Sequence, residues 1–285
     1  MISGTRYRLD QEISRQLSLA RDIARGQTQL STQKRIQSPS EDPVAAARIS
    51  SIGRSQSNEA AWKSNLNLAA GLAARADTAL KAAGTAYDRV TELMTQAATG
   101  TLSDQDRQTI AVELRSIGEE LAALKDSKDS RGNALFMSDY SLRIPVQSGV
   151  QVIAVGTREE VFESVATAGG PKDLAQIVTD AAAAIELADP TTRQAAVATA
   201  VDEVNAAIEH VATQRGEQGA LANRVDQLLE RQADTGLQLA AERSGLEDTD
   251  IHAVVARISA QQLSLDAAQA VFARINQSTL FDILR

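Results

Sequence analysis

At 285 residues and 30.3 kDa, the chain is long enough for one large or two modest domains with a sizeable core. Alanine fills 50 positions, and 43% of residues are apolar but only 3% aromatic, so closely packed thin helices are expected and a bulky-walled substrate pocket is not. The net charge of -8 leaves no basic field to displace counterions from a phosphate backbone, which excludes nucleic acid as the expected partner. With no cysteine, disulfides and thiolate metal sites are ruled out. His210 and His252 are too few and too far apart in sequence to form a histidine metal cluster, and no cofactor is expected.

The first segment, MISGTRYRLDQEIS, has no apolar run that would serve as a signal peptide. No stretch of about 18 uncharged apolar residues occurs anywhere, so membrane insertion is not expected. A chain of this kind working outside the cell would leave by a route that reads no such signal. Leu9, Ile13, Leu17, Ala20 and Ala24 follow a helical spacing that decays into the polar segment QTQLSTQKRIQSPSEDP. Arg6, Arg8, Arg15, Arg21, Arg25, Lys34 and Arg35 outweigh Asp10, Glu12 and Asp22, making this first helix locally basic. Such a face is either solvated or drawn to an acidic neighbour.

Helix is expected to resume after Pro43 in an alanine-rich run. From Leu66 a heptad emerges: Leu66, Ala69, Ala73, Ala76, Leu80, Ala83, Tyr87, Val90, Met94 and Ala97. Gly100 is expected to end that helix, and Ser103 with Asp104 and Asp106 to cap the next, which carries Ile110, Leu114, Ile117, Leu121 and Leu124 on one face. Proline and glycine thicken between Pro145 and Pro171 around VQVIAVG, marking a small β-containing module from 131 to 172. A short helix near 174–188 precedes a stretch from Thr191 to about Arg243, roughly 80 Å long as a single helix. After SGLEDTD, where Thr249 or Asp250 is placed to cap, the seam restarts as Ile251, Val254, Ile258, Gln261, Leu265, Ala268, Phe272 and Ile275.

The fold class expected is therefore mainly α: an elongated antiparallel helical bundle or coiled coil with a small inserted β-containing module. Its segments are an assembly helix and turn (1–43), a helical hairpin (44–130), the module (131–172), a long return arm (173–244) and a C-terminal assembly helix (245–285). Both end helices are amphipathic and need partners, from a second molecule or from a fold-back onto one bundle. Polar residues form no catalytic constellation. Glu41 with Asp42, and Glu247 with Asp248 and Asp250, lack the spacing of a calcium loop and read as caps or turns. His210 and His252 sit in helices as structural or exposed residues, and Gly169 with Gly170 before Pro171 reads as a turn. Gly216 and Gly219 are expected to mark a packing contact or a bend, and Trp62 either core or an interface anchor.

The stretch Leu30 to Ile49, LSTQKRIQSPSEDPVAAARI, resembles the N-terminal signature of the bacterial flagellin superfamily, in its hook-filament junction branch (hook-associated protein 3). Pro39, Ser40, Glu41, Asp42 and Pro43 fit that signature with Glu41 in place of aspartate, and Pro43 with Val44 sets it apart from flagellin proper. The C-terminal run from Leu246 carries Glu247, Asp248, Asp250, Gln262, Leu280 and Leu284 where the family pattern places them. In RGNALFMSD, Asn133, Ala134 and Met137 depart from it.

The resemblance implies a non-enzymatic structural subunit, secreted by flagellar type III export and resident at the hook-filament junction of the bacterial flagellum. It further implies terminal segments that become helical inside the assembled tube. Implied partners are a hook-side hook-associated protein, flagellin, copies of itself in a ring and a flagellar export chaperone. Leu9, Ile13, Leu17, Ile258, Leu265, Phe272 and Ile275 become the apolar teeth of the assembly interface, and Pro39 to Pro43 the turn between inner helix and outer body. Two alternatives stand beside it: self-polymerising flagellin, and a secreted coiled-coil binding or scaffold protein.

Overall fold

The computed structural model describes residues 2–99, 102–138 and 140–283, those at 2–6, 8–9 and 275–283 through the backbone only. Six α-helices are seen among the described residues: α1 (Ile2–Thr32), α2 (Pro43–Ala98), α3 (Asp104–Lys125), α4 (Leu174–Glu186), α5 (Pro190–Glu247) and α6 (Ile251–Ile283). Between α3 and α4 lie β1 (Arg143–Gln147), β2 (Val150–Ile153), a π-helical turn (Glu159–Glu163), β3 (Val165–Thr167) and β4 (Gly170–Lys172). The chain divides into two compact units, Met1–Ser57 with Thr235–Arg285, and Asn58–Asp234.

Helix starts follow from short acceptor side chains. Asp42 accepts from the Ala45 amide at 3.0 Å, and Pro43 follows it at the first helical position, where its missing N–H costs nothing. The same Asp-Pro pair opens α5, with Asp189 accepting from the Thr192 amide at 2.7 Å. Ser103 and Asp106 form a reciprocal capping box on α3, and Asp173 caps α4 through the Ala175 amide. Of the two caps expected for α6, Asp250 takes the role, accepting from Ala253 at 3.0 Å. The prolines at 43 and 190 thus open helices as well as breaking them. Gly100, expected to end α2, lies outside the described residues.

In the Asn58–Asp234 unit, the heptad from Leu66 to Met94 is buried throughout, with Ala97 half-buried. It packs with Ile110, Leu114, Ile117 and Leu121 of α3, and with Leu174, Ile177, Val178 and Ile185 of α4, in one apolar core. Small residues set the spacing: a β-carbon on Gly118 of α3 would stand 3.2 Å from Thr179 Oγ1 of α4. Buried Tyr87 donates to the Leu174 carbonyl at 2.7 Å, and burial beside Asp173 pushes its phenol well above its ordinary pKa.

The inserted module is two separate antiparallel hairpins, β1–β2 and β3–β4, with a register irregularity between Pro145 and Gln147. Its inner faces supply Ile144, Val146, Val152 and Val165 to the core, and Phe136 meets Phe162 edge-on at 4.9 Å. Polar pins fasten it to the helices. Asn65 of α2 donates to the Pro145 carbonyl at 2.7 Å, and buried Gln218 of α5 donates to the Ala154 carbonyl at 2.8 Å. A ring nitrogen of His210 lies 3.1 Å from the Val161 carbonyl, the structural role expected of it. Lys172 reaches Asp180 and Glu203 at 2.8 Å each.

Two expectations are corrected. Gly216 and Gly219 mark neither a packing contact nor an interruption: α5 runs unbroken through both, and no atom stands within 4 Å of a β-carbon placed on either. The breaker SGLEDTD begins four residues too early, because Ser244 to Glu247 still belong to α5 and the break is Asp248 to Asp250.

Candidate assembly site

The Met1–Ser57 with Thr235–Arg285 unit holds every residue assigned above to assembly. Here α1 packs antiparallel on α6. Ile23, Val254 and Ile258 form a small buried cluster, with Leu30 and Leu265 half-buried against it. The two end helices thus cover part of one another within this unit. The cover is incomplete: Gln16 Nε2 and Gln261 Oε1 are buried without a hydrogen-bond partner, an arrangement that costs stability.

The close approach depends on Gly26. A β-carbon there would lie 2.7 Å from Ile258 Cγ1 and 2.9 Å from Cδ1, so only hydrogen fits at this turn of α1. Beside it Arg257 donates to Gln29 Oε1 at 2.7 Å, which fixes the register of the pair.

The two interhelical connectors are joined to each other. The Arg35 amide donates to the Glu247 carbonyl at 2.7 Å and the Thr249 amide to the Gln33 carbonyl at 3.0 Å, a single antiparallel bridge around Lys34 and Asp248. Gln33 reaches it with a φ of 57°, in the left-handed region. The Arg35 guanidinium donates to the Leu246 carbonyl, at 3.0 Å from Nη2. Glu247, mostly shielded, accepts from Arg243 at 2.7 Å and pairs with Lys34, and these two cations, Arg243 first, hold its carboxyl below the usual glutamate range. One turn earlier Arg48 of α2 pairs bidentately with Glu242 of α5, at 2.5 and 2.9 Å.

Within the turn at 38–43, Asp42 is the α2 cap and Glu41 accepts from the Gln37 amide at 2.8 Å. The hydroxyls of Ser38 and Ser40 are 2.8 Å apart. Arg35 also approaches Asp42 Oδ2 at 3.5 Å, so turn and connectors form one hydrogen-bonded knot. A mostly polar cleft of about 610 Å³ opens beside it, lined by Asp22, Arg25, Gln29, Arg35, Ile36, Glu41, Asp42, Arg257 and Gln261.

The apolar teeth separate into two groups. Ile258 is buried on α1, and Leu265 and Phe272 are half-buried. Ile13 and Leu17 are 42% and 51% exposed and do not join the α1–α6 cluster, which α1 meets instead through Ile23, Gly26 and Leu30. The side chains of Leu9 and Ile275 lie outside the described residues. The stripe of α1 that meets α6 inside the chain is a different one, and its periodic signal is diluted by Gln16 and Gly26. Arg35, Arg243 and Lys34 were missed as a cluster around Glu247, because nothing in the sequence links positions some two hundred residues apart.

Among the described residues no group of three or more His, Asp or Glu is placed to hold a metal ion, and no helix is long and apolar enough to cross a membrane.

A bundle with terminal helices paired in this way defines a class. The bacterial flagellin N-terminal helical region matches residues 13–140, and the bacterial flagellin C-terminal helical region matches residues 201–284, together most of the chain. The chain belongs to the bacterial flagellin family. It is 23% identical over 287 residues to flagellar hook-associated protein 3 of Escherichia coli K12, spanning 90% of each chain. To the protein of the same name in Salmonella typhimurium it is 25% identical over 289 residues, spanning 90% of this chain and 91% of that one. The fold is shared with the flagellar junction protein FlgL from Legionella pneumophila, at 14% identity and a TM-score of 0.57, over 70% of this chain and 100% of the other.

Proposed function

We propose that this protein is a structural subunit that joins hook to filament in the bacterial flagellum and assembles through its terminal helices. One observation carries the reading. The two helices at the chain ends meet each other through a small cluster centred on Ile23, Val254 and Ile258, and leave Ile13, Leu17, Leu263 and Val271 open to solvent. A cluster that small leaves much of the described length of two long helices without apolar cover, and further burial by neighbouring molecules stabilises them. The names of the E. coli and Salmonella relatives, and their near full-length correspondence, support the junction over the filament.

In this reading the partners are a hook-side hook-associated protein below, flagellin above, copies of this chain in a ring, and an export chaperone during type III secretion. A junction must distinguish two neighbours, so its specificity comes from differences between its two ends. The turn at Pro39 to Pro43, knotted to Glu247 through Arg35, sets the direction in which α1 leaves α2.

The test is electron microscopy of the purified protein with hook fragments and with sheared filament seeds, with and without separately purified flagellin. A short cap on hook ends that lets flagellin extend is the expected result. Long filaments of this chain alone would make it a flagellin, and indifference to both templates would overturn the flagellar reading.

A further inference from the structure

A cavity of about 380 Å³ lies within the Asn58–Asp234 unit, between α2 and the inserted module. Its apolar lining includes Leu68 and Leu72 of α2 with Leu135 and Ile144, the last three buried. Tyr140 and Leu142 line it too, 61% and 40% exposed, large side chains that the core leaves uncovered. So do Arg131 and Arg143, and among the described residues neither has a carboxylate within ion-pair distance. Asp129, also at the cavity, is spent on its own turn. One of its oxygens accepts from the Arg131 and Asn133 amides at 2.7 and 2.9 Å, and the other from the Asn133 side chain at 3.3 Å.

The backbone of one wall is open as well. β1 pairs with β2 along one edge, and among the described residues no strand pairs with the other. In an antiparallel ladder each residue turns its N–H and C=O to the same edge, and successive residues alternate. Pro145 has no N–H to give, and its carbonyl is taken by Asn65 of α2 at 2.7 Å, so its groups face away from β2. Two residues earlier, Arg143 turns its amide and carbonyl the same way, beside the cavity that both residues line. An unpaired edge of this kind is a template for a further strand. Side chains of β1 alternate, Arg143 exposed and Ile144 buried, so an added strand sets its own residues alternately beside the arginine and over the apolar lining.

We propose that this groove takes an extended acidic peptide segment of another protein, which adds to β1 as a further strand. Its inward residues are apolar and pack on Leu68, Leu72 and Ile144, and its outward residues are carboxylates that meet Arg143 and Arg131. Main-chain hydrogen bonds to Arg143 supply affinity, and the alternate side chains supply selectivity. Opposite charges across neighbouring strands add to both. A second copy of this chain is the poorer occupant. β1 is five residues long, and outside its helices the chain has no run of that length alternating apolar and acidic.

The test is fluorescence anisotropy of the full chain with a labelled hexapeptide, Asp-Val-Glu-Val-Asp-Val, against its counterpart Lys-Val-Lys-Val-Lys-Val. The acidic probe should bind, and the lysine probe at least about tenfold more weakly. Arg143→Glu and Arg131→Glu, each checked for unchanged circular dichroism, should weaken the acidic probe by about three- to tenfold. N-methylation of the probe separates strand addition from adsorption and leaves the protein unaltered. Methyl groups on one alternate set of amides should abolish binding, and on the other set should leave it within about twofold. Equal effects of the two sets overturn strand addition, as does binding that neither arginine reversal weakens. Absence of binding by the acidic probe, or equal binding of the lysine probe, overturns the acidic occupant. Self-association in sedimentation that Arg143→Glu abolishes would make a second copy the occupant and overturn the proposal too. None of these readouts involves hook or filament, so the junction reading is tested apart from this one.

Discussion

Gly26 of α1 lies so close under Ile258 of α6 that a β-carbon on the glycine would stand 2.7 Å from the isoleucine Cγ1. Gly26→Ala gains up to about 1 kcal/mol in helix propensity but forces apart a seam in which, among the described residues, three apolar side chains are buried, an overpacking cost of about 1–3 kcal/mol. The seam should lose. Hydrogen exchange of amides in α1 and α6 should accelerate in this variant while those of α3 and α4 remain unchanged. Equal protection in both proteins would show that the helices separate without cost.

Gly216 provides the opposite case. It sits inside α5, and no atom stands within 4 Å of the position of an added β-carbon. Gly216→Ala should therefore stabilise by about 0.5–1 kcal/mol through the backbone entropy of the unfolded chain. A raised denaturation midpoint with unchanged denaturant dependence is the expected readout. A lowered midpoint would reveal a contact made by the glycine backbone.

These two glycines mark what was legible in the sequence. Strong periodicity found the heptad of α2 and the apolar face of α3, because those stripes face a continuous core and nothing competes with them. Caps were equally legible, since Ser103 and Asp250 act through amides three residues away. Around α1 the same reasoning chose Ile13 and Leu17, the more apolar face, while the face in contact with α6 is interrupted by a glycine that reads as a weakness until its neighbour is seen. The division near residues 57 and 235 falls inside α2 and α5, where an unbroken helix carries no proline or change of composition to signal it. The knot around Glu247 joins residues far apart in sequence, and only the fold brings Lys34 to it.

That knot carries a pH dependence. Arg243 and Lys34 hold the Glu247 carboxyl below its usual range, so the carboxylate contributes stability above the unfolded glutamate value of about 4.5. The contribution is lost as pH falls through the lower folded value. Both cations are about half exposed, which keeps the effect small. Glu247→Gln should lower the melting temperature slightly at pH 7, and the difference should disappear in acid once the wild-type carboxyl is protonated. A difference that grows on acidification would place the linkage elsewhere.

Gln218 is 3% exposed, in the middle of α5, and its amide nitrogen lies 2.8 Å from the Ala154 carbonyl and 3.4 Å from that of Ala73. One side chain thus ties α5 to the segment just after β2 and to the heptad helix α2. Gln218→Leu keeps similar bulk but withdraws the donor and leaves the Ala154 carbonyl without it in an apolar site, where an unmet acceptor costs about 1–3 kcal/mol. The loss should appear in the denaturation midpoint and as faster exchange of the β1–β2 amides, whereas α1 and α6, in the other unit, should be unaffected. Gln218→Glu is the sharper variant, because a carboxylate facing two carbonyls adds repulsion at neutral pH that protonation relieves. Its stability should therefore recover as the pH is lowered toward 4, opposite in sign to the change expected at Glu247. A Gln218→Glu protein as stable as wild type at pH 7 would mean that water enters this site and that the amide is not the pin holding the module to α5.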